Sequence, residues 1–268
     1  MKNWKEKVVL VTGGSAGLGF HIARQFGLHG AITVLLGRQQ SSLQDACNEL
    51  ANEGIRAESV VADVTLESQV SVAIKQLIDK FSRLDVLVNN VGRSTRISLQ
   101  EATVDEFRKF MEINFLSAVT CTRLAMPHLI KTDGHVVNIG SLAAKTAWPY
   151  LGPYSASKFA LASYTHQLRL EGPKNMHYML VCPGPVRRHD SGERYHSEAK
   201  HLPEQAKLPA AGAKVEGISP DVLAKKIVRG CERRWREIIF PLRARFLFTL
   251  LAYSPPLGDW LLRRMMRG

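Results

Sequence analysis

Short apolar runs alternate with amphipathic stretches from Lys7 to about Ile239. Val8 to Val11, Ala31 to Leu36, Ala57 to Ala62, Leu84 to Val88, His135 to Ile139, Tyr178 to Cys182 and Glu237 to Phe240 read as strands. Several of these, such as LDVLV at 84 to 88, are apolar without alternation, as parallel strands buried on both faces are. Between them, Glu67 to Phe81 carries Val70, Ile74, Leu77 and Ile78 on one stripe, which predicts a helix. Ser41 with Gln44, and Thr103 with Glu106, read as capping boxes. The first opens a helix to about Glu53 and the second a helix carrying Phe107, Phe110, Met111 and Asn114. Ser219-Pro220-Asp221 marks another helix start. No linker or repeat interrupts the alternation, so residues 1–240 are expected to form a single α/β domain with a doubly wound parallel sheet.

The first strand runs into TGGSAGLG, a turn with Gly13, Gly17 and Gly19, and then into a helix. Glycines permit a tight turn and close backbone approach, and the N-terminus of the helix presents unpaired N–H groups to an anion. The order strand, glycine turn, helix predicts a site for a pyrophosphate.

Tyr154 and Lys158 lie four residues apart in GPYSASKFAL, hence one turn apart on a helix face. A nearby ammonium stabilises the phenolate of a tyrosine and brings it toward useful acid–base strength. By itself this spacing is common on amphipathic helices. Ser141, expected just beyond the carboxyl end of a strand, supplies a hydroxyl to the same edge.

These motifs, with Asp63, the NNVG of 89 to 92, Asn114 and the Pro-Gly of 183 and 184, fall in an order that resembles the short-chain dehydrogenase/reductases almost throughout. The resemblance implies a Rossmann-type sheet of about seven strands and a nicotinamide dinucleotide. Tyr154 would then be the acid that protonates a carbonyl oxygen. Lys158 would lower its pKa and hold the nicotinamide ribose, and Ser141 would bind the substrate oxygen. Asn114 would join the catalytic set by supporting a water leading from Lys158; a buried asparagine capping backbone groups competes with this reading more strongly than the corresponding alternatives do for the other three. Gly13, Ser15, Gly17, Leu18 and Gly19 would line the phosphates, Asp63 and Val64 would meet the adenine, and Asn90 and Gly92 would pass near the ribose. Pro183, Gly184 and Val186 would border the nicotinamide. The chain departs from the family where a threonine often follows Pro-Gly, reading Pro185-Val186-Arg187-Arg188 instead.

The residue after the second strand decides the choice of dinucleotide. An NAD site places a carboxylate there, whereas this chain has Arg38, a guanidinium suited to a 2′-phosphate. NADP is therefore expected, with carbonyl reduction by NADPH as the working direction. An alcohol dehydrogenase working oxidatively on a steroid-like or long-chain alcohol is the alternative within enzymes. A non-catalytic NADP-sensing regulator is the alternative outside them. Residues 187–218 are charged and aperiodic and read as a mobile loop with one short helix, and the family resemblance implies that they cover the substrate; His189, His196 and His201 there lack metal-ligand spacing. The four cysteines form no C-x-x-C pair, so neither a metal site nor a redox motif is read from them.

Residues 241–268 form a further amphipathic arm. Phe246 to Tyr253 and Trp260 to Met266 are apolar, edged by arginines, and shorter than the ~20 residues needed to span a bilayer. Such pieces either lie in a membrane interface or pack on protein. The net charge of +12 suits an anionic surface, while its dispersed basic residues argue against nucleic acid. A cytoplasmic protein, at most peripheral on a membrane, acting on a lipophilic carbonyl and dimeric by the family resemblance, is expected.

Overall fold

The seven strands form one parallel sheet in the order β3-β2-β1-β4-β5-β6-β7 in a computed structural model. It describes residues 4–187, 217–242 and 254–267, together with Ala199, Leu202, Pro203, Ala206, Ala244, Arg245 and Phe248. The strands are β1 Val8–Thr12, β2 Ile32–Gly37, β3 Ala57–Val61, β4 Val86–Asn89, β5 His135–Ile139, β6 His177–Pro183 and β7 Glu237–Phe240. The helices are α1 Gly17–Leu28, α2 Gln40–Asn52, α3 Glu67–Phe81, α4 Val104–Met111, α5 Ser117–Ile130, α6 Gly152–Glu171, α7 Pro220–Glu232 and α8 Pro255–Arg267.

Alternate residues of each strand feed two cores. Val9 and Val11 of β1 face Phe26 of α1, Leu43 of α2 and Ile227 of α7. Val8 and Leu10 face Val70 and Ile74 of α3 and Leu129 of α5. Burial on both faces explains why these strands read as continuous apolar runs. The connections reverse direction between β1 and β4, which opens a crevice at the carboxyl ends of the strands, where sheets of this kind bind ligands.

The Thr103 box forms as expected: its hydroxyl accepts from the Glu106 amide, and the Glu106 carboxylate accepts from the Thr103 amide. The Ser41 box does not. Only two residues separate β2 from α2, so the helix begins at Gln40 and places Ser41 inside its first turn, with no side-chain cap at Gln39. The helix expected to carry Phe107, Phe110, Met111 and Asn114 is not regular throughout. A π-helical turn, Glu112–Leu116, interrupts it and carries Asn114.

The first part of the C-terminal arm packs on the domain. Ala244 and Phe248 are buried with Leu142, Leu180 and Cys182. Farther on, α8 leaves Leu257 and Trp260 exposed, and the Arg264 guanidinium lies 5.3 Å from the Trp260 ring. No helix among the described residues is long and apolar enough to cross a membrane. Arg188, His189, His196, His201 and most of Phe246 to Tyr253 lie outside the described residues.

Candidate active site

The glycine turn is braced from below by β2 and from the side by β4. Gly13 N donates to Leu36 O at 2.7 Å, and Thr12 Oγ1 accepts from the amides of Asn90 and Val91. The Asn90 side chain donates to the carbonyls of Thr12 and Gly13. Gly13 has a φ of +63°, in the left-handed region. A Cβ on Gly19 would run into the Gly13 carbonyl oxygen and the Asn90 amide. The turn thus brings α1 up against β4, and no side chain caps the N-terminus of α1. The first N–H groups of α1 remain directed at the crevice, the arrangement an anion needs. Ser15 and Leu18 flank it half-buried, and Leu18 packs on the core below.

Arg38 and Asp63, at the ends of β2 and β3, meet at 3.7 Å. Arg38 is 77% exposed, so its guanidinium stays open to a ligand while Asp63 orients it. Burial would raise the Asp63 carboxyl, but the amide and hydroxyl of Thr65 and the charge of Arg38 outweigh it and hold it below its ordinary value. Val64, next to Asp63, is buried.

Lys158 and Tyr154 share the inward face of α6. The Lys158 ammonium is 2.8 Å from the Ile139 carbonyl at the end of β5 and 6.0 Å from the Tyr154 ring centroid. The residue is 3% exposed, and burial depresses its pKa from 10.5 to about 8. At neutral pH it still carries its charge. Two residues beyond Ile139, Ser141 Oγ accepts from Ala143 N at 3.1 Å, which leaves its hydroxyl hydrogen for an outside acceptor. Strand β5 and helix α6 therefore bring Ser141, Tyr154 and Lys158 to one edge.

Asn114 is engaged with protein groups. Its Oδ1 accepts from Arg93 N at 2.7 Å, and its Nδ2 donates to Arg93 O and to Ser157 Oγ, each at 2.9 Å. These are the bonds of a buried asparagine capping backbone groups. They fix the segment after Gly92 to α6, where a Cβ on Gly92 would stand 3.1 Å from the Lys158 ammonium. On the other side, Gly184 N donates to Phe240 O, and Val186 bridges to Ile218 beside Pro183 and Gly184. The Arg187 side chain donates to Gly217 O.

Two polar features escape the sequence patterns. Asn89 donates to Thr122 and Asn138, and Asn138 donates to Thr165, tying β4, β5, α5 and α6 together beneath the site. Arg96, only 4% exposed, donates from Nε to the carbonyl of Ala206.

The family model for short chain dehydrogenase matches residues 7–199. The chain belongs to that family. Its members are oxidoreductases acting between CH–OH and C=O on small molecules. Over 260 residues the chain is 31% identical to dehydrogenase/reductase SDR family member 7B of Danio rerio, covering 92% of this chain and 82% of that one. It is 32% identical to ketoacyl reductase HetN of Nostoc over 236 residues, covering 87% and 78%. An 11-beta-hydroxysteroid dehydrogenase A of Sesamum indicum is 29% identical over 261 residues, covering 97% and 75%. Among solved structures, L-sorbose reductase from Gluconobacter frateurii with NADPH and L-sorbose aligns with a TM-score of 0.78 and 26% identity, covering 88% of this chain and 95% of that chain.

Proposed function

We propose that this enzyme is an NADPH-dependent carbonyl reductase in which Tyr154 delivers the proton. The observation that carries the reading is the buried Lys158 ammonium, held by Ile139 O beside the Tyr154 ring. NADPH, when bound, supplies the hydride. The glycine turn and the uncapped start of α1 would take its pyrophosphate, and Arg38 its 2′-phosphate. Asp63 and Val64 would border the adenine, and Asn90 and Gly92 keep the backbone close to the ribose. Pro183, Gly184 and Val186 would close the nicotinamide side.

Each chain residue then has a definable task. Ser141 donates its hydroxyl hydrogen to the carbonyl oxygen and fixes its position. The Tyr154 phenol transfers its proton to that oxygen as negative charge develops. The Lys158 charge stabilises the phenolate left behind. Asn114 keeps the Arg93 backbone and α6 in register, so that Lys158 stays in place. Oxidation of an alcohol would use the same groups in reverse. The retained triad argues against a regulator without chemistry.

Following the oxidation of NADPH and NADH against ketones of graded chain length tests the reading, and preference for NADH would overturn the role of Arg38. Replacing Arg38→Asp removes a charge-assisted contact and adds a repulsive carboxylate. It is expected to raise the KM for NADPH about 10- to 100-fold and to leave that for NADH unchanged or lower.

We extend the proposal to a lipophilic ketone and a peripheral membrane position, supported by the exposed Trp260 and Leu257 on an arginine-rich α8. Anionic liposomes are expected to sediment the full chain and to leave behind a form lacking 255–268. Equal sedimentation of both would remove the membrane from the account. A homodimer through α5 and α6 accords with the exposure of Phe159 and Leu170, and sedimentation velocity tests it.

A further inference from the structure

Three side chains with no part in this chemistry meet at the opposite edge of the sheet. His135 and His177 open β5 and β6 and pair with each other in register, so their rings lie side by side at the amino ends of the strands. Nδ1 of His135 is 2.8 Å from Nδ1 of His177, with ring centroids 4.9 Å apart. Cys231, in the last turn of α7, reaches the same place, and the ligand atoms of all three lie within 4.8 Å of one another. All three are buried, Cys231 completely.

The geometry points to a binding site for a thiophilic d10 cation, Cu⁺ ahead of Zn²⁺, that clamps β5, β6 and α7 together. Thiolate and imidazole are the donors such ions take. A second observation concerns the proton on His177. Its Nε2 lies 2.8 Å from the carbonyl oxygen of Trp235. A carbonyl only accepts, so Nε2 carries the hydrogen and Nδ1 turns its lone pair toward His135 and Cys231. Imidazoles that bind metals are oriented in this way, by donating the other N–H to a carbonyl or carboxylate.

In the metal-free protein the hydrogen between the two Nδ1 atoms therefore belongs to His135. Binding moves it to Nε2 of His135, and the Cys231 thiol loses its proton to solvent. Two nitrogens on one such ion stand about 3.4 Å apart, so the rings need to open by roughly 0.6 Å and the sulfur to move in by about 1 Å. Side-chain torsions can supply both shifts.

Charge and coordination number favour Cu⁺. The site holds three protein donors, and Trp4 packs on His135 with its ring centroid 5.6 Å away, while Met179 and Val228 are buried in the same core. A thiolate neutralises Cu⁺ outright. Zn²⁺ would leave a buried positive charge and call for a fourth ligand. The three ligands come from separate elements, with the histidines 42 positions apart, so no sequence spacing marks them.

The test uses the full chain, stripped of metal and kept reduced. It is titrated separately with Cu⁺ and Zn²⁺, each against a chromophoric chelator, and its thermal unfolding is followed with and without each ion. One tightly bound equivalent of Cu⁺, a rise in Tm and an ultraviolet sulfur-to-copper band are expected. Cys231→Ala and Cys231→Ser should weaken binding by at least about 100-fold and lose the band while still binding NADPH, and Cys121→Ala should change neither. Failure to bind either ion stoichiometrically, or unchanged binding in both Cys231 variants, would overturn the site. Zn²⁺ bound in place of Cu⁺ would overturn the order of preference.

Discussion

Tyr154→Phe is expected to lower kcat for ketone reduction by about a hundred- to ten-thousand-fold, the usual contribution of a positioned acid. The phenyl ring keeps the packing of α6, so NADPH binding and the far-UV circular dichroism should match the parent enzyme. The loss should fall on kcat and kcat/KM alike, because the proton moves only in the transition state. Steady-state kinetics beside fluorescence titration of NADPH separates this from a binding defect. Turnover at the parental rate would mean that another group supplies the proton.

Lys158→Met carries the second large effect, and its sign differs between function and stability. Activity should drop about a hundredfold or more, since the variant removes the charge beside the phenol and a donor to the nicotinamide ribose. Stability without NADPH should rise. The Lys158 pKa lies near 8 in the folded chain, below the ordinary 10.5, because burial disfavours its charged form. The unfolded chain holds the extra proton between those values, so the buried charge costs folding on the order of 3 kcal/mol below pH 8. That cost fades as pH rises from 8 to 10.5. Chemical denaturation at pH 7 and pH 10 should therefore show Lys158→Met ahead of the parent enzyme at the lower pH and the gap narrowing at the higher. A variant less stable than the parent at pH 7 would mean that the bond to Ile139 O outweighs the desolvation of the charge.

The sheet was legible because parallel strands buried on both faces leave unbroken apolar runs, and β5 and β7 begin and end where their patterns do. Glu67–Phe81 was equally plain, with one apolar stripe over four turns. The π turn at Glu112–Leu116 was not, because an added residue within a helix leaves the apolar pattern nearly intact. The start of α2 was misplaced because a serine followed by glutamine looks like a cap wherever it falls in the first turn.

At the site, the residues proposed to carry the chemistry stood in local motifs, and the structure brings Ser141, Tyr154 and Lys158 to one edge. What supports them is long-range. Asn89, Asn138 and Thr165 come from three elements, and Arg96 reaches Ala206 across 110 residues. A single buried polar residue in an apolar stretch has no spacing to reveal its partner. Asn114 shows the same limit from the other direction: its position was legible, while its bonds to Arg93 and Ser157 appear only in the fold.

The central claim is that hydride from NADPH reaches a carbonyl carbon while Tyr154 protonates its oxygen. Incubation with NADPH deuterated at C4 on the transferring face, across the panel of ketones, followed by mass spectrometry of the alcohol, tests it most directly. One deuterium is expected on the carbinol carbon of at least one ketone, with at least about a hundredfold less of that product from Tyr154→Phe at matched time. Absence of labelled alcohol from every ketone while labelled cofactor remains bound, or equal label from the Tyr154→Phe enzyme, would contradict it.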